Sequence, residues 1–154
     1  MEKKNTDELD KILGSTHPKD IDEYLRENAD SMREADRPFA GYMRKLIKEK
    51  GLKQQDVFIS ADIPERYGYK LISEEKRTKQ RDVILRLCYA AQFSPEETQR
   101  ALKMYEMPTL YSKIPRDAFL MTLFRERPGN IYEINEILGK HHMEPLRSSG
   151  TPEE

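Results

Sequence analysis

The chain has 154 residues, 36% of them hydrophobic and 36% charged, with one cysteine and a formal net charge of −1. That length suits one domain with a short appendage, and that charge content suits amphipathic helices with solvated faces better than a sheet core. The lone Cys88 excludes an internal disulfide, and the longest apolar stretch, residues 118–124, is interrupted by Thr122 and too short to span a bilayer. MEKKNTDELD has no apolar run after its lysines, so a cytoplasmic protein is expected, away from the membrane.

In chain order, Leu9, Ile12 and Leu13, then Ile21, Tyr24, Leu25 and Met32, fall at helical spacing and predict two short helices. Pro18 fits a first helical position, with Asp20 and Asp22 placed favourably against the macrodipole. Neither helix is long enough to be stable alone. Asp36, Arg37 and Pro38 mark a boundary, because proline disfavours helical geometry in the residue before it.

Phe39, Met43, Leu46 and Ile47 then form one stripe that Lys50 and Gly51 close, a helix of about three turns. Val57, Phe58 and Ala61 predict a short helix, Asp62, Ile63 and Pro64 a break, and Tyr67, Leu71 and Ile72 a second short helix. After a charged loop over residues 73–80, Val83, Ile84, Leu87, Cys88 and Ala91 predict an amphipathic helix in which Cys88 is buried and inert. Ser94, Pro95 and Glu97 form a capping box for a helix running to about Tyr105.

Beyond Met107 and Pro108, residues 116–125 are apolar nearly all round through Ala118, Phe119, Met121, Leu123 and Phe124, which predicts a helix central to the bundle. Pro128 and Gly129 break it. Asn130 caps a last helix carrying Ile131, Ile134, Ile137 and Leu138, with Gly139 as its end, and residues 147–154 are expected to be disordered. The expected fold is all-α: an acidic helical segment over 1–36, a domain over 37–106, a helical extension over 107–146 packed on the core, and a tail.

Charge is distributed unevenly. Residues 37–92 hold 13 Lys and Arg against 7 Asp and Glu, a net of +6, whereas residues 1–36 carry −5 and residues 93–154 carry −2. A positive island between acidic segments is what local binding of phosphates requires, and the acidic segment is a candidate competitor for the same surface.

Residues 52–73, LKQQDVFISADIPERYGYKLIS, align without gaps on a helix-turn-helix. This segment resembles the motif of the phage-repressor (Cro-like, xenobiotic-response-element type) superfamily, with Gln54 at the opening of the first helix, Val57 and Leu71 at core positions and Ile63 after the turn. Phe58, Asp62 and Gly68 depart from that pattern, which usually has Ala, Gly and a branched aliphatic there. Phe58 and Gly68 are expected to face one another with their sizes exchanged, and Asp62 tolerates left-handed backbone. From about Phe39 to Leu138, including KQRDVILRLCYAAQFSPEETQRAL and LYSKIPRDAFLM, the chain also resembles an uncharacterised group of helix-turn-helix proteins from Gram-positive bacteria.

These resemblances imply a repressor-like five-helix domain extended by further helices, and sequence-specific binding of double-stranded DNA by a recognition helix over about 64–73 in the major groove. Arg66 is the expected base reader, flanked by Tyr69, Lys70 and Ser73, with Glu65 able to accept from cytosine. Gln54 and Gln55 would hold a backbone phosphate, as would Lys76, Arg77, Lys79 and Arg81 in the loop, unless Arg81 pairs with Asp82 or Glu75. A homodimer is the expected form, since one recognition helix covers few base pairs. No cofactor is expected. His141 and His142 point about 100° apart on a helix and make a poor metal site. Arg116 and Asp117 read as a structural pair, and no residue pattern points to an enzyme. The rival expectation is a helical adaptor that binds another protein through its C-terminal helices, where Met104, Met107, Met121 and Met143 could line a groove.

Overall fold

A computed structural model describes residues 4–29 and 37–148. The chain divides into two compact units between residues 36 and 37. All regular structure among the described residues is helical.

The first unit contains α1 (Thr6–Leu13), a 3-10 turn (Pro18–Asp20) and α2 (Ile21–Glu27). Asn5 caps α1 by accepting from the Glu8 N–H at 2.9 Å, and Pro18 opens the turn. Tyr24 is the buried apolar side chain of α2, while Leu13, Ile21 and Leu25 are exposed. Met32, expected in the same helix, lies outside the described residues.

The second unit holds α3 (Pro38–Glu49), α4 (Gln54–Ala61), α5 (Glu65–Ile72), α6 (Arg81–Ala90), α7 (Pro95–Met104), α8 (Pro115–Glu126) and α9 (Ile131–Lys140). Helix α6 is its centre: every side chain from Val83 to Tyr89 is buried, and the helix packs on α4, α7 and α9. The sequence pattern assigned that place to α8. Instead α8 buries one face, Asp117, Leu120, Leu123 and Phe124, and leaves Ala118, Phe119 and Met121 half-buried. The central helix was disguised by Arg86, Arg81 and Asp82, polar residues that the fold accommodates by pairing them.

Those pairings are crossed. Arg81 and Asp82 open α6, and Arg116 and Asp117 open α8. Arg81 Nη2 lies 2.5 Å from Asp117 Oδ1, and Arg116 Nη2 lies 3.0 Å from Asp82 Oδ2. Two Arg-Asp dipeptides thus exchange partners and bolt the helix starts together. This corrects both expectations for these residues, since Arg81 pairs with neither Asp82 nor Glu75, and Arg116 does not pair with its neighbour. Arg81 also donates to the carbonyls of Pro108 and Thr109.

Most helix ends follow one rule. Among the described residues, seven helices stop with a residue in the left-handed region, Gly51, Asp62, Glu74, Gln92, Glu106, Arg127 or His142. In five of them the next amide reaches five residues back: Leu52 to Ile47, Ile63 to Phe58, Phe93 to Cys88, Met107 to Leu102 and Met143 to Leu138, all at 2.9 or 3.0 Å. In those five an apolar residue follows the left-handed one and bonds back to the last turn, the Schellman arrangement. Gly139, expected as a stop, lies inside α9, and His142 turns the chain.

Helix starts follow the sequence more closely. Ser94 with Glu97, and Asn130 with Glu133, form complete capping boxes. Burial raises the Glu97 carboxyl, but the Ser94 N–H and Lys50 outweigh it and hold the group below its ordinary value. Cys88 is fully buried, and burial pushes its thiol up, so it has no thiolate character. Arg147, expected at the start of a disordered tail, is held at both backbone groups: its N–H donates to Asp82 and its carbonyl accepts from Arg86.

Candidate nucleic-acid interface

Helices α4 and α5 are joined by three residues, Asp62, Ile63 and Pro64. Asp62 turns the chain at φ 55°, as its side chain permits. Phe58 on α4 then meets Gly68 on α5 so closely that a Cβ at Gly68 would lie 2.4 Å from the ring. The exchange of sizes expected from the sequence therefore holds, and it makes Gly68 the residue the ring requires. Tyr69 packs edge-on against the same ring, with centroids 4.8 Å apart, and remains 43% exposed.

With Gly68, Leu71 and Ile72 turned inward, α5 presents its other face to solvent. Glu65, Arg66 and Tyr69 are exposed, and Lys70 and Ser73 are half-buried. Arg66, Lys70 and Ser73 follow at helical spacing and share one stripe. Ser73 is partly committed: its hydroxyl donates to the Lys70 carbonyl and accepts from the Glu75 N–H.

The start of α4 lies beside the start of α5. Gln55 Nε2 is 3.5 Å from Glu65 Oε2, at the outer limit of a hydrogen bond. Neither helix has a side-chain cap, because Lys53 and Pro64 occupy the capping positions. Two uncapped helix starts side by side present backbone N–H groups and positive dipole ends, the local chemistry that favours an anion, although each first turn also carries a carboxylate, Asp56 or Glu65. Gln54 is half-buried and Gln55 exposed at this edge. Lys53, which the sequence reading passed over, is exposed there too; its place immediately before Gln54 in the basic island was the available signal.

The loop after α5 separates into two kinds of cation. Lys76 and Lys79 are exposed. Arg77 is tied down instead: it bonds Glu74 Oε1 at 2.6 Å, donates to the Tyr105 carbonyl at 2.8 Å and stacks over the Tyr105 ring at 4.0 Å. Glu74, whose side chain is only 3% exposed, also accepts from the Ala40 N–H in the first turn of α3. Arg77 is therefore a joint between the loop and the ends of α3 and α7, and Arg81 is lost to the α8 pairing. Both guanidiniums thus have protein partners, which the sequence did not reveal, although the Arg77 side chain remains 47% exposed.

His141 lies edge-on to Phe119, with ring centroids 4.7 Å apart, so it packs the end of α9 on α8. Among the described residues no helix is long and apolar enough to cross a membrane. Compared with protein-family models, curated proteins and solved structures, the sequence finds no match.

Proposed function

We propose that this chain is a sequence-specific regulator that binds double-stranded DNA in the cytoplasm, with α5 in the major groove. The observation that carries this reading is the pairing of Arg66 and Lys70 on the solvent face of α5 with the uncapped starts of α4 and α5 at its edge. A helix of this width fits the groove, and the helix starts and Gln54 and Gln55 suit the phosphates that flank it. Arg66 reads a guanine through two parallel hydrogen bonds, Lys70 reaches a base or phosphate, and Tyr69 and Ser73 contact the groove wall. Lys53, Lys76 and Lys79 supply phosphate contacts. Two copies on an inverted repeat give the specificity one short helix lacks.

The adaptor reading is favoured by a different feature, the exposed Tyr111 and Ile114 leading into the half-buried apolar face of α8. Selection of bound sequences from a random duplex pool separates the two. Enrichment of an inverted repeat is the expected result; recovery of no preferred sequence favours the adaptor.

A further inference from the structure

Arg86 sits in the middle of the central helix, 5% exposed, and three backbone carbonyls meet its guanidinium where a carboxylate would be expected. Its Nη1 donates to Ala61 at 3.0 Å, its Nε to Arg147 at 2.7 Å and its Nη2 to Leu146 at 2.7 Å. Ala61 is the last residue of α4, so its carbonyl is one of those a helix leaves without an internal partner. Leu146 and Arg147 belong to the C-terminal strap that follows α9. One side chain thus caps the helix that precedes the α4–α5 turn and grips the strap from the opposite end of the sequence.

The strap is built to be gripped. Leu146 is buried, its N–H donates to Asn135 Oδ1 at 2.8 Å, and the Arg147 N–H donates to Asp82 Oδ2 at 3.0 Å. Arg116 holds the preceding carbonyls of Glu144 and Pro145. If the strap leaves, a buried cation loses two of its three acceptors. A cation so poorly satisfied does not stay in an apolar interior. It swings toward water, and the Ala61 carbonyl then loses its cap beside the left-handed Asp62.

We infer that Arg86 is a positioning residue through which the docked C-terminal strap fixes the turn between α4 and α5. A partner that pulls the strap away therefore loosens the helix pair from behind, without touching its solvent face. The bearing on DNA rests on the proposal above, whereas the brace itself can be tested without DNA.

The test is amide hydrogen exchange on the full chain and on two variants, Asn135→Ala, which removes the acceptor of the Leu146 N–H and so loosens the strap, and Arg86→Met, which removes the grip. The probes are the Asp62 and Ile63 amides, bonded to Ile59 and Phe58, with the equivalent Glu106 and Met107 amides at the end of α7 as reference. Each variant should speed exchange at Asp62 and Ile63 at least about tenfold, the factor expected from losing one charge-assisted hydrogen bond, and leave the α7 reference unchanged. The double variant should add nothing further, because both changes act through one guanidinium. Additive effects, equal acceleration at both helix ends, or no acceleration at α4 would each overturn the inference. If the amides respond as expected and the duplex pool yields no preferred sequence, the brace stands and the DNA reading falls.

Discussion

The basic island and the joint between α6 and α8 are both rich in arginine, and the fold uses them in opposite ways. On α5, Arg66 and Lys70 lie on a solvent face. At the joint, Arg81 and Arg116 are bound to Asp117 and Asp82, Arg86 is sunk among carbonyls, and Arg127 stacks over Tyr89 and donates to the carbonyls of Tyr89 and Phe93. Net charge per segment does not distinguish the two. Of the island's six arginines, Arg77, Arg81 and Arg86 are structural, whereas Arg37, Arg44 and Arg66 are exposed, so the charge offered to a partner comes from its lysines and from about half of its arginines. Arginine goes inside here because its planar fork satisfies several acceptors at once, which an ammonium does not.

Breaking the joint should have the largest effect. Arg81→Met leaves Asp117, only 1% exposed, as a buried carboxylate without its cation, and should cost about 3 kcal/mol of unfolding free energy in a denaturant titration. A loss no greater than that of an exposed lysine variant would mean the crossed pairs are not what binds α8 to the core.

The α4–α5 pair is broken differently. Gly68→Ala drives a methyl into the Phe58 ring and should cost about 2 kcal/mol. Adding Phe58→Leu should give a double variant less destabilised than the sum of the singles, since the clash lies between these two side chains. Simple additivity would contradict the close fit.

The comparison is sharpened by a change that removes no charge from either region. Gln92→Gly relieves a side chain at φ 62° and should stabilise the fold by about 1 kcal/mol in the same titration. Binding to duplex should be unaltered, so that stability and recognition can be scored separately. Destabilisation would mean that the Gln92 side chain contributes more than its backbone geometry costs.

These contrasts also show where the fold was legible in the sequence. Ser94 and Asn130 announced their helices because a cap is a local matter: one side chain, one amide, three residues apart. The Phe58 and Gly68 exchange was legible because a known motif placed the two residues opposite one another. The places of α6 and α8 were read in reverse, since apolarity all round looks like burial, while a helix carrying Arg86 looks half-solvated until its carbonyl partners are brought from residues 61, 146 and 147. Those partners are distant in sequence, and no local pattern reveals them. Helix ends were misjudged at Gly139 because the signal was the apolar residue after the left-handed one, and glycine occupies that left-handed position in only one of the five Schellman ends.

For the candidate interface, the outward stripe of Arg66, Tyr69 and Lys70 was legible because the resemblance to a known motif assigned those residues to the solvent face of the second helix. The demotion of Arg77 was not, because it depends on Tyr105 and Glu74 closing around the guanidinium.

The most direct test of the account is duplex binding by the intact chain, Arg66→Ala and Lys79→Ala, measured on a selected sequence and its single-base-pair variants at several salt concentrations. Arg66→Ala should lose about 1 to 3 kcal/mol of discrimination at one or two base pairs, whereas Lys79→Ala should weaken all sequences alike and lower the salt slope by about one. Equal losses on every sequence for both variants, or no salt-dependent duplex binding by the intact chain, would contradict the assignment of α5 as the reading helix.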